Sequence, residues 1–336
     1  MSRVTINDVA RASDTSKKTV SRVLNQEPGV RKEVRERVMA AVAALNYRPL
    51  TSARSLATNR SFMIGLLYDN LSPSYIMEVQ AGVQEACEAQ QYSMMVQPLD
   101  STAPDFMERV EGILWRHRPD GLILTPPITD HPALLAHLRS AGLPFASIAP
   151  RKAKGVAGVI LHEREAAAAM VDHLVALGHR RIAHIIGDPK HGAGVWRLAG
   201  YRDGMKRAGL EERADYMVQG QFSFESGVKA ARQLLRLKQR PTAIFAADDD
   251  MAVGAIWAAA EAGVMVPAEV SICGFDDTTI ATQVWPLLTT VHQPVRDMGK
   301  RATEELLLGL LGKGEPHMVE VDYQMRLRAS TAPAPP

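Results

Sequence analysis

From residue 63 onward the chain alternates short apolar runs with amphipathic stretches, and no other feature limits the possible folds as strongly. The runs 63–68, 94–97, 121–125, 145–148, 158–161, 182–186, 216–219, 243–246 and 271–274 read as strands. Helical periodicity fills most of the gaps, near 76–90, 104–117, 131–141, 163–177, 195–208, 223–237 and 249–262. Alternating β and α elements imply parallel sheets covered by helices on both faces. Nine strands in this order fit two doubly wound subdomains better than one sheet. The segments Pro119-Asp120-Gly121-Leu122-Ile123-Leu124-Thr125 and Pro241-Thr242-Ala243-Ile244-Phe245-Ala246-Ala247 each enter a strand from a proline, which points to an internal duplication. A ligand cleft is then expected where the strand C-termini of the two halves meet. Further strands are expected around 319–327, and a disordered tail at 332–336.

The first 47 residues follow a different rule. Thr5 precedes a short helix over about 6–12, with Asp8 placed to meet free backbone N–H groups. Ser16 is the next N-cap candidate; after it Val20, Val23 and Leu24 share one helical face, while the other carries Lys, Ser and Arg. Gln26-Glu27-Pro28-Gly29 breaks the chain, and Val34, Val38, Val42 and Leu45 then mark a third helix ending near Asn46. Residues 51–58 are compatible with about two helical turns but have almost no apolar face. A helix below about 12 residues does not repay its nucleation cost in water, so this one needs a partner to form.

Charge separates the two regions. Residues 1–60 hold twelve Lys/Arg against five acids, +7, and since the whole chain is +2 the remainder is −5. A basic head on a mildly acidic body predicts attraction of the head to a polyanion. Cys87 and Cys273 lie far apart in apolar stretches and read as core thiols of a reducing compartment, not as a disulfide or zinc site. The polar N-terminus lacks the apolar core of a secretory signal, and no apolar run approaches the roughly 20 residues that span a bilayer. A cytoplasmic, nucleoid-associated protein with no membrane partner is the expectation.

Enzyme motifs are missing. No G-x-G-x-x-G follows a strand, and no G-x-S-x-G or H-E-x-x-H is present. Gly187 and Gly192 have P-loop spacing, but Ala193-Gly194 stand where Lys and Ser/Thr are needed. The runs Asp248-Asp249-Asp250 and Asp276-Asp277 read as loop and cap residues at strand ends before they read as a metal site. Neither a cofactor nor a metal is expected.

The strongest motif is in the head. A helix, a short turn and a second helix with one apolar and one basic-hydroxylic face match a helix-turn-helix, whose second helix enters the DNA major groove. Val4-Thr5-Ile6-Asn7-Asp8-Val9-Ala10, Ser16-x-x-Thr19-Val20-Ser21-Arg22-Val23-Leu24-Asn25, Leu45-Asn46-Tyr47-Arg48-Pro49 and Ala53-Arg54-Ser55-Leu56 closely resemble the lactose-repressor/galactose-repressor family of bacterial transcription regulators. The resemblance continues through Ile64-Gly65, Gly178-His179-Arg180-Arg181-Ile182-Ala183, Arg197-x-x-Gly200-Tyr201, Gly274-Phe275-Asp276-Asp277 and Leu288-Thr289-Thr290-Val291.

That resemblance implies an all-α helix-turn-helix head (1–48), a hinge helix (49–60), and a type I periplasmic-binding-protein-like body (61–330) ahead of the tail (331–336). The body divides into subdomains at roughly 61–160 plus 292–320 and 161–291 plus 321–330. Lys17, Lys18 and Arg22 take the positions of base readers, and such side chains donate naturally to guanine O6 and N7. Thr5, Ser16, Thr19, Ser21 and Asn25 suit phosphate oxygens. Leu56 resembles the family's minor-groove leucine, with Ala53 beside it. Arg197, Asp248, Asp276 and Phe222 match effector-binding positions, with Tyr75, Asn70 and Gln293 joining them. Carboxylates, an arginine and an aromatic face form a sugar-binding set, and a purine or other nucleobase would use similar groups.

The function implied is a homodimeric repressor on a pseudo-palindromic double-stranded operator, controlled by a sugar or sugar-derived effector and not an enzyme. A solute-binding protein or a cytosolic sugar-modifying enzyme is the alternative. The chain departs from the family pattern at Asp14, where Gly is usual in the turn, at Leu50, and at Leu161-His162-Glu163-Arg164 in place of an Asp-Asn pair.

Overall fold

The computed structural model describes residues 4–24, 28–47, 55, 58, 60–69, 72–152 and 155–336. They fall into two compact units, Met1–Phe62 and Met63–Pro336. Asn25, Ala53, Leu56 and Asn70 lie outside the described residues, as does Leu50.

The described residues of the head include the helices α1 (Ile6–Ala12), α2 (Lys17–Leu24) and α3 (Lys32–Ala44). Asp8 accepts from the Thr5 backbone N–H at 2.9 Å and from the Thr5 hydroxyl at 2.7 Å, closing the start of α1. Ser16 Oγ accepts from Thr19 N–H at 3.1 Å and so caps α2. Val9, Val20, Val23 and Val38 bury completely or nearly so around Ala10, Ala41 and Tyr47. Asp14, in the turn between α1 and α2, takes a left-handed φ of 47°. The expected strain at a non-glycine residue is therefore present there.

The body contains two parallel sheets. The first runs in the order β11-β5-β4-β3-β1-β2, from β1 (Met63–Tyr68), β2 (Ser93–Pro98), β3 (Gly121–Leu124), β4 (Phe145–Ile148), β5 (Ala157–Leu161) and β11 (Met318–Val321). The second runs β7-β6-β8-β9, from β6 (Ile182–Ile186), β7 (Met217–Gln219), β8 (Ala243–Ala246) and β9 (Ser271–Cys273). The orders β2-β1-β3-β4 and β7-β6-β8-β9 are equivalent, so the duplication seen in the two proline-led segments extends to topology. Those segments supply β3 and β8, buried at every residue as central parallel strands must be.

Helices α4 (Pro73–Ala89), α5 (Phe106–His117) and α6 (Pro132–Ser140) accompany the first sheet. Helices α7 (Glu163–Ala176), α8 (Gly192–Arg207), α9 (Phe224–Leu235) and α10 (Asp249–Glu261) follow β5, β6, β7 and β8 in turn. The chain then passes through β10 (Thr290–His292) into α11 (Val295–Leu310), which packs on α4 and on β3 to β5. β11 follows in the first sheet, and β12 (Gln324–Arg326) pairs antiparallel with β10.

Two expectations need correction. Helix α11 and strand β10 were not among the predicted elements, although Val295, Met298, Ala302, Leu306 and Leu307 bury at helical spacing. The tail is also ordered, not disordered. Ala332 accepts from buried His179 Nε2 at 3.0 Å, and Ala334 N–H donates to Leu177 O at 2.8 Å. Its small residues offer no apolar pattern to read, yet its backbone supplies partners that a buried imidazole requires. Both cysteines are buried free thiols, and burial pushes Cys87 up to about 12.

Candidate functional site

Two constellations carry the chemistry. In the head, Lys17, Lys18, Ser21 and Arg22 line an open depression on α2, opposite the face that buries Val20 and Val23. The first turn of α2 holds no acid. Arg22 Nη2 donates to Pro28 O at 2.8 Å, which holds the guanidinium against the turn after α2. The predicted hydroxyls are already engaged locally: Ser16 with Thr19 at 2.9 Å, and Thr5 with Asp8, whose carboxyl these bonds hold below the usual range. The structure thus brings together Lys17, Lys18, Ser21 and Arg22, with Ser16 and Thr19 at the start of the same helix.

In the body, the predicted residues converge at strand C-termini. Arg197, on α8, is 3% exposed, so its charge is almost wholly removed from solvent. Its Nη2 lies 3.0 Å from Asp276 Oδ1 and 3.4 Å from Glu163 Oε1, Nη1 donates to Ala247 O, and the guanidinium stacks 3.8 Å from the Phe275 ring centroid. Burial opposes the charge on Arg197, but Asp276, Glu163 and Asp248 hold it firmly protonated. Gln293 Nε2 donates to Asp276 Oδ1 and fixes that carboxylate from the β10 side.

Asp248 is the N-cap of α10 and accepts from Met251 N–H at 2.8 Å. Asp249 accepts from Thr278 N–H at 2.7 Å, from the Thr278 hydroxyl at 3.2 Å and from the Thr290 hydroxyl. Burial drives both carboxyls well above the ordinary range, and Asp276 adds to the shift. Among the described residues no group of three or more His, Cys, Asp or Glu is arranged to hold a metal ion.

Phe222 takes a left-handed φ of 55°, and its ring covers Gly187 so closely that a methyl group there would overlap it. The His191 ring lies 4.9 Å away, tilted by 55°. Burial, then Arg197, pushes His191 down to about 3, so its imidazole is neutral. Tyr75 is buried, and desolvation reinforced by Asp276 and Glu163 raises its hydroxyl above the usual phenol range. Tyr75, Asp276 and Gln293 also face a cavity of about 510 Å³ bounded by α4 and the start of α11. Arg197, Asp248 and Phe222 are not on its wall, so the densest polar set lies beside that cavity, not in it.

Asp130, Ser147, Glu163 and His191, which were not among the candidates, join Arg197 and Gln293 here. Among the described residues, Asp130 Oδ2, Ser147 Oγ, Glu163 Oε2, His191 Nδ1, Arg197 Nε and Gln293 Oε1 are buried without a hydrogen-bond partner. Native interiors seldom leave such groups unpaired, so each one marks where a ligand or water is expected. A Cβ at Gly192 would sit 2.8 Å from Arg151 Cγ and 3.4 Å from Asp130 Oδ2, so the start of α8 meets the loops after β3 and β4 across the cleft. Glu163, in the segment that departs from the family pattern, is a partner of Arg197. Position alone could have found Glu163 and His191, since both follow a strand C-terminus.

Comparison with known proteins finds relatives for both regions of the chain. Residues 5–50 match the model for bacterial regulatory proteins of the lacI family, and residues 171–331 match a periplasmic binding protein-like domain. The HTH-type transcriptional repressor PurR of Proteus mirabilis is 36% identical over 336 residues, 98% of each chain. PurR of an Escherichia coli strain is 34% identical over 337 residues, again 98% of each. The lac repressor dimer bound to operator and the anti-inducer ONPF superposes with a TM-score of 0.81 at 29% identity, covering 98% of this chain and all of that one. The transcriptional regulator CelR in complex with cellobiose gives 0.74 at 28% identity, with the same coverage. Carrying both signatures and sharing a third of its residues with repressors along its whole length, the chain belongs to the lacI family of bacterial regulatory proteins, as a transcription regulator and not an enzyme.

Proposed function

We propose that this protein is a repressor that binds a two-fold-related operator as a homodimer, with Lys17, Lys18 and Arg22 reading bases and Thr5, Ser16, Thr19, Ser21 and Asn25 gripping phosphate. Ala53 and Leu56 act at the minor groove, and a small effector held by Arg197, Asp248, Asp276, Phe222, Tyr75, Asn70 and Gln293 sets occupancy of the DNA. The observation that carries this reading is agreement with repressors over head and body together, one of them an operator-bound dimer. The effector is a small ring compound rich in hydrogen-bond donors, because three of the unpartnered atoms named above, Asp130 Oδ2, Glu163 Oε2 and Gln293 Oε1, are carboxyl or amide oxygens, against one, Arg197 Nε, that can only donate. The relatives named PurR put a purine base ahead of the sugar that the residue types favour. The cellobiose complex keeps the sugar as the second reading.

The test uses a duplex selected by the protein from a random pool. Arg22→Ala should weaken binding to it by about tenfold or more, in line with one lost bidentate base contact, while calorimetric effector binding is unchanged. Retained affinity for the duplex would refute the assignment. Leu56→Gly should reduce specific binding far more than binding to random DNA, and equal losses would remove the minor-groove role.

A further inference from the structure

Among the described residues, Arg197 is the one arginine or lysine that is buried, whereas Glu163, Asp248, Asp249 and Asp276 are all buried carboxylates of the same region. Asp249 is answered by three donors from Thr278 and Thr290. The other three share a single guanidinium and a few dipoles. Glu163 opens α7 and Asp248 caps α10, and each helix N-terminus offers about half a positive charge. Even with both counted, negative charge exceeds positive. Buried ionised groups left without counter-charge are costly, so the shortfall asks for an external cation or a retained proton.

The unpartnered atoms say which kind of group is wanted. Gln293 Oε1 is a pure acceptor and Glu163 Oε2 becomes one on ionisation; both lie in residues at least nine-tenths buried, and both flank the Arg197–Asp276 pair. A neutral hydroxyl can donate once to such a pocket. An ammonium donates three times and supplies the charge as well.

We infer that the effector presents a protonated amine to the acceptors of Glu163, Asp248, Asp276 and Gln293, which makes it a small amine such as an amino sugar and sets it ahead of both the purine base and the neutral sugar named above. This inference rests on the cleft being the effector site, the reading given above. Asp248 sits within electrostatic range of both Arg197 and Asp276, so it belongs to the same charge set.

Calorimetry on the full chain tests it with matched probes, D-glucosamine against D-glucose and D-galactosamine against D-galactose, with adenine and hypoxanthine as neutral bases. Near neutral pH at least one amine should bind about tenfold more tightly than its neutral partner, as expected for one charge-assisted contact. Asp248→Asn keeps the N-cap, since Asn caps as well as Asp, and should shrink that preference to about threefold or less. In the unliganded protein, Asp248→Asn and Glu163→Gln should each raise the melting temperature more near pH 8 than near pH 5.

Equal or tighter binding of a neutral probe overturns the inference, as does failure of every amine to bind. Melting shifts independent of pH overturn it too. The repressor reading fails by a different measurement, loss of specific duplex binding, so the two failures cannot be confused.

Discussion

At the scale of single residues, Arg197 stands between two carboxylates in a region closed to water, and this dictates how the site fails when it is changed. Its Nη2 contacts Asp276 at 3.0 Å and Glu163 at 3.4 Å, and its plane covers Phe275. Breaking a buried ion pair from one side strands the other charge, at a cost of about 3–5 kcal/mol. Arg197→Met should therefore destabilise the body by roughly that much at pH 8. The loss should be smaller near pH 5, because Glu163 and Asp276 already have raised pKa values through burial and take up protons more readily once the guanidinium is gone. Urea melts at the two pH values check this; a loss that is equal at both would mean that the carboxyls stay ionised without their partner. His191 follows the opposite logic. Held neutral beside Phe222, it adds a polar edge to an aromatic surface without adding charge.

At the scale of elements, the tail illustrates how backbone can do what side chains usually do. His179 is fully buried and holds Thr242 through Nδ1 and Ser271 and Ala332 through Nε2. Deleting residues 332–336 removes the carbonyl on Nε2, the Ala332 N–H that Ser271 Oγ accepts, and the Ala334 bond to Leu177. Each buried polar group left unpaired costs about 1–3 kcal/mol, so truncation should lower the stability of the second sheet's half by a few kcal/mol. A truncated chain with an unchanged melting profile would show these bonds to be idle. The same tail marks the limit of sequence reading. Elements with a strong period were legible: α1, β1, β4, β6 and β8 lie where alternation and helical spacing put them, because their burial is one-sided or complete. Pro-Ala segments have no period, and their role depends on partners more than 60 residues away. The site divides in the same way. Arg197, Asp248 and Asp276 could be named from matched motifs, whereas Asp130 and Ser147 come from unremarkable loop and strand positions and show themselves only as buried, unpartnered atoms.

At the scale of the whole molecule, these buried groups give the body a pH profile whose two arms have different owners. Folded His184 and His191 titrate at about 4 and about 3, while the unfolded chain protonates near the ordinary 6.5. Stability therefore falls as pH drops from about 6.5 toward those folded values, because the unfolded state binds more protons there. Glu163, Asp248, Asp249 and Asp276 have folded pKa values raised by burial, so they keep protons that the unfolded chain has released. Their contribution is complete below the ordinary carboxylate range and drains away as pH rises toward the folded values. Between pH 7 and 8 the slope of the unchanged protein mixes these carboxyls with the last protons leaving unfolded histidines, whose ordinary value is 6.5, and the first leaving unfolded thiols, whose ordinary value is 9.0. Asp248→Asn removes one carboxyl and leaves the histidines and thiols as they were, so the difference between the two proteins over that interval belongs to Asp248. All four tryptophans, Trp115, Trp196, Trp257 and Trp285, lie in the body, so their fluorescence follows its unfolding without interference from the head. Urea midpoints read this way should be raised by Asp248→Asn more at pH 8 than at pH 7. A difference that is the same at both pH values would mean that Asp248 is fully ionised by pH 7, and that the region tolerates its excess of negative charge without a proton or a cation.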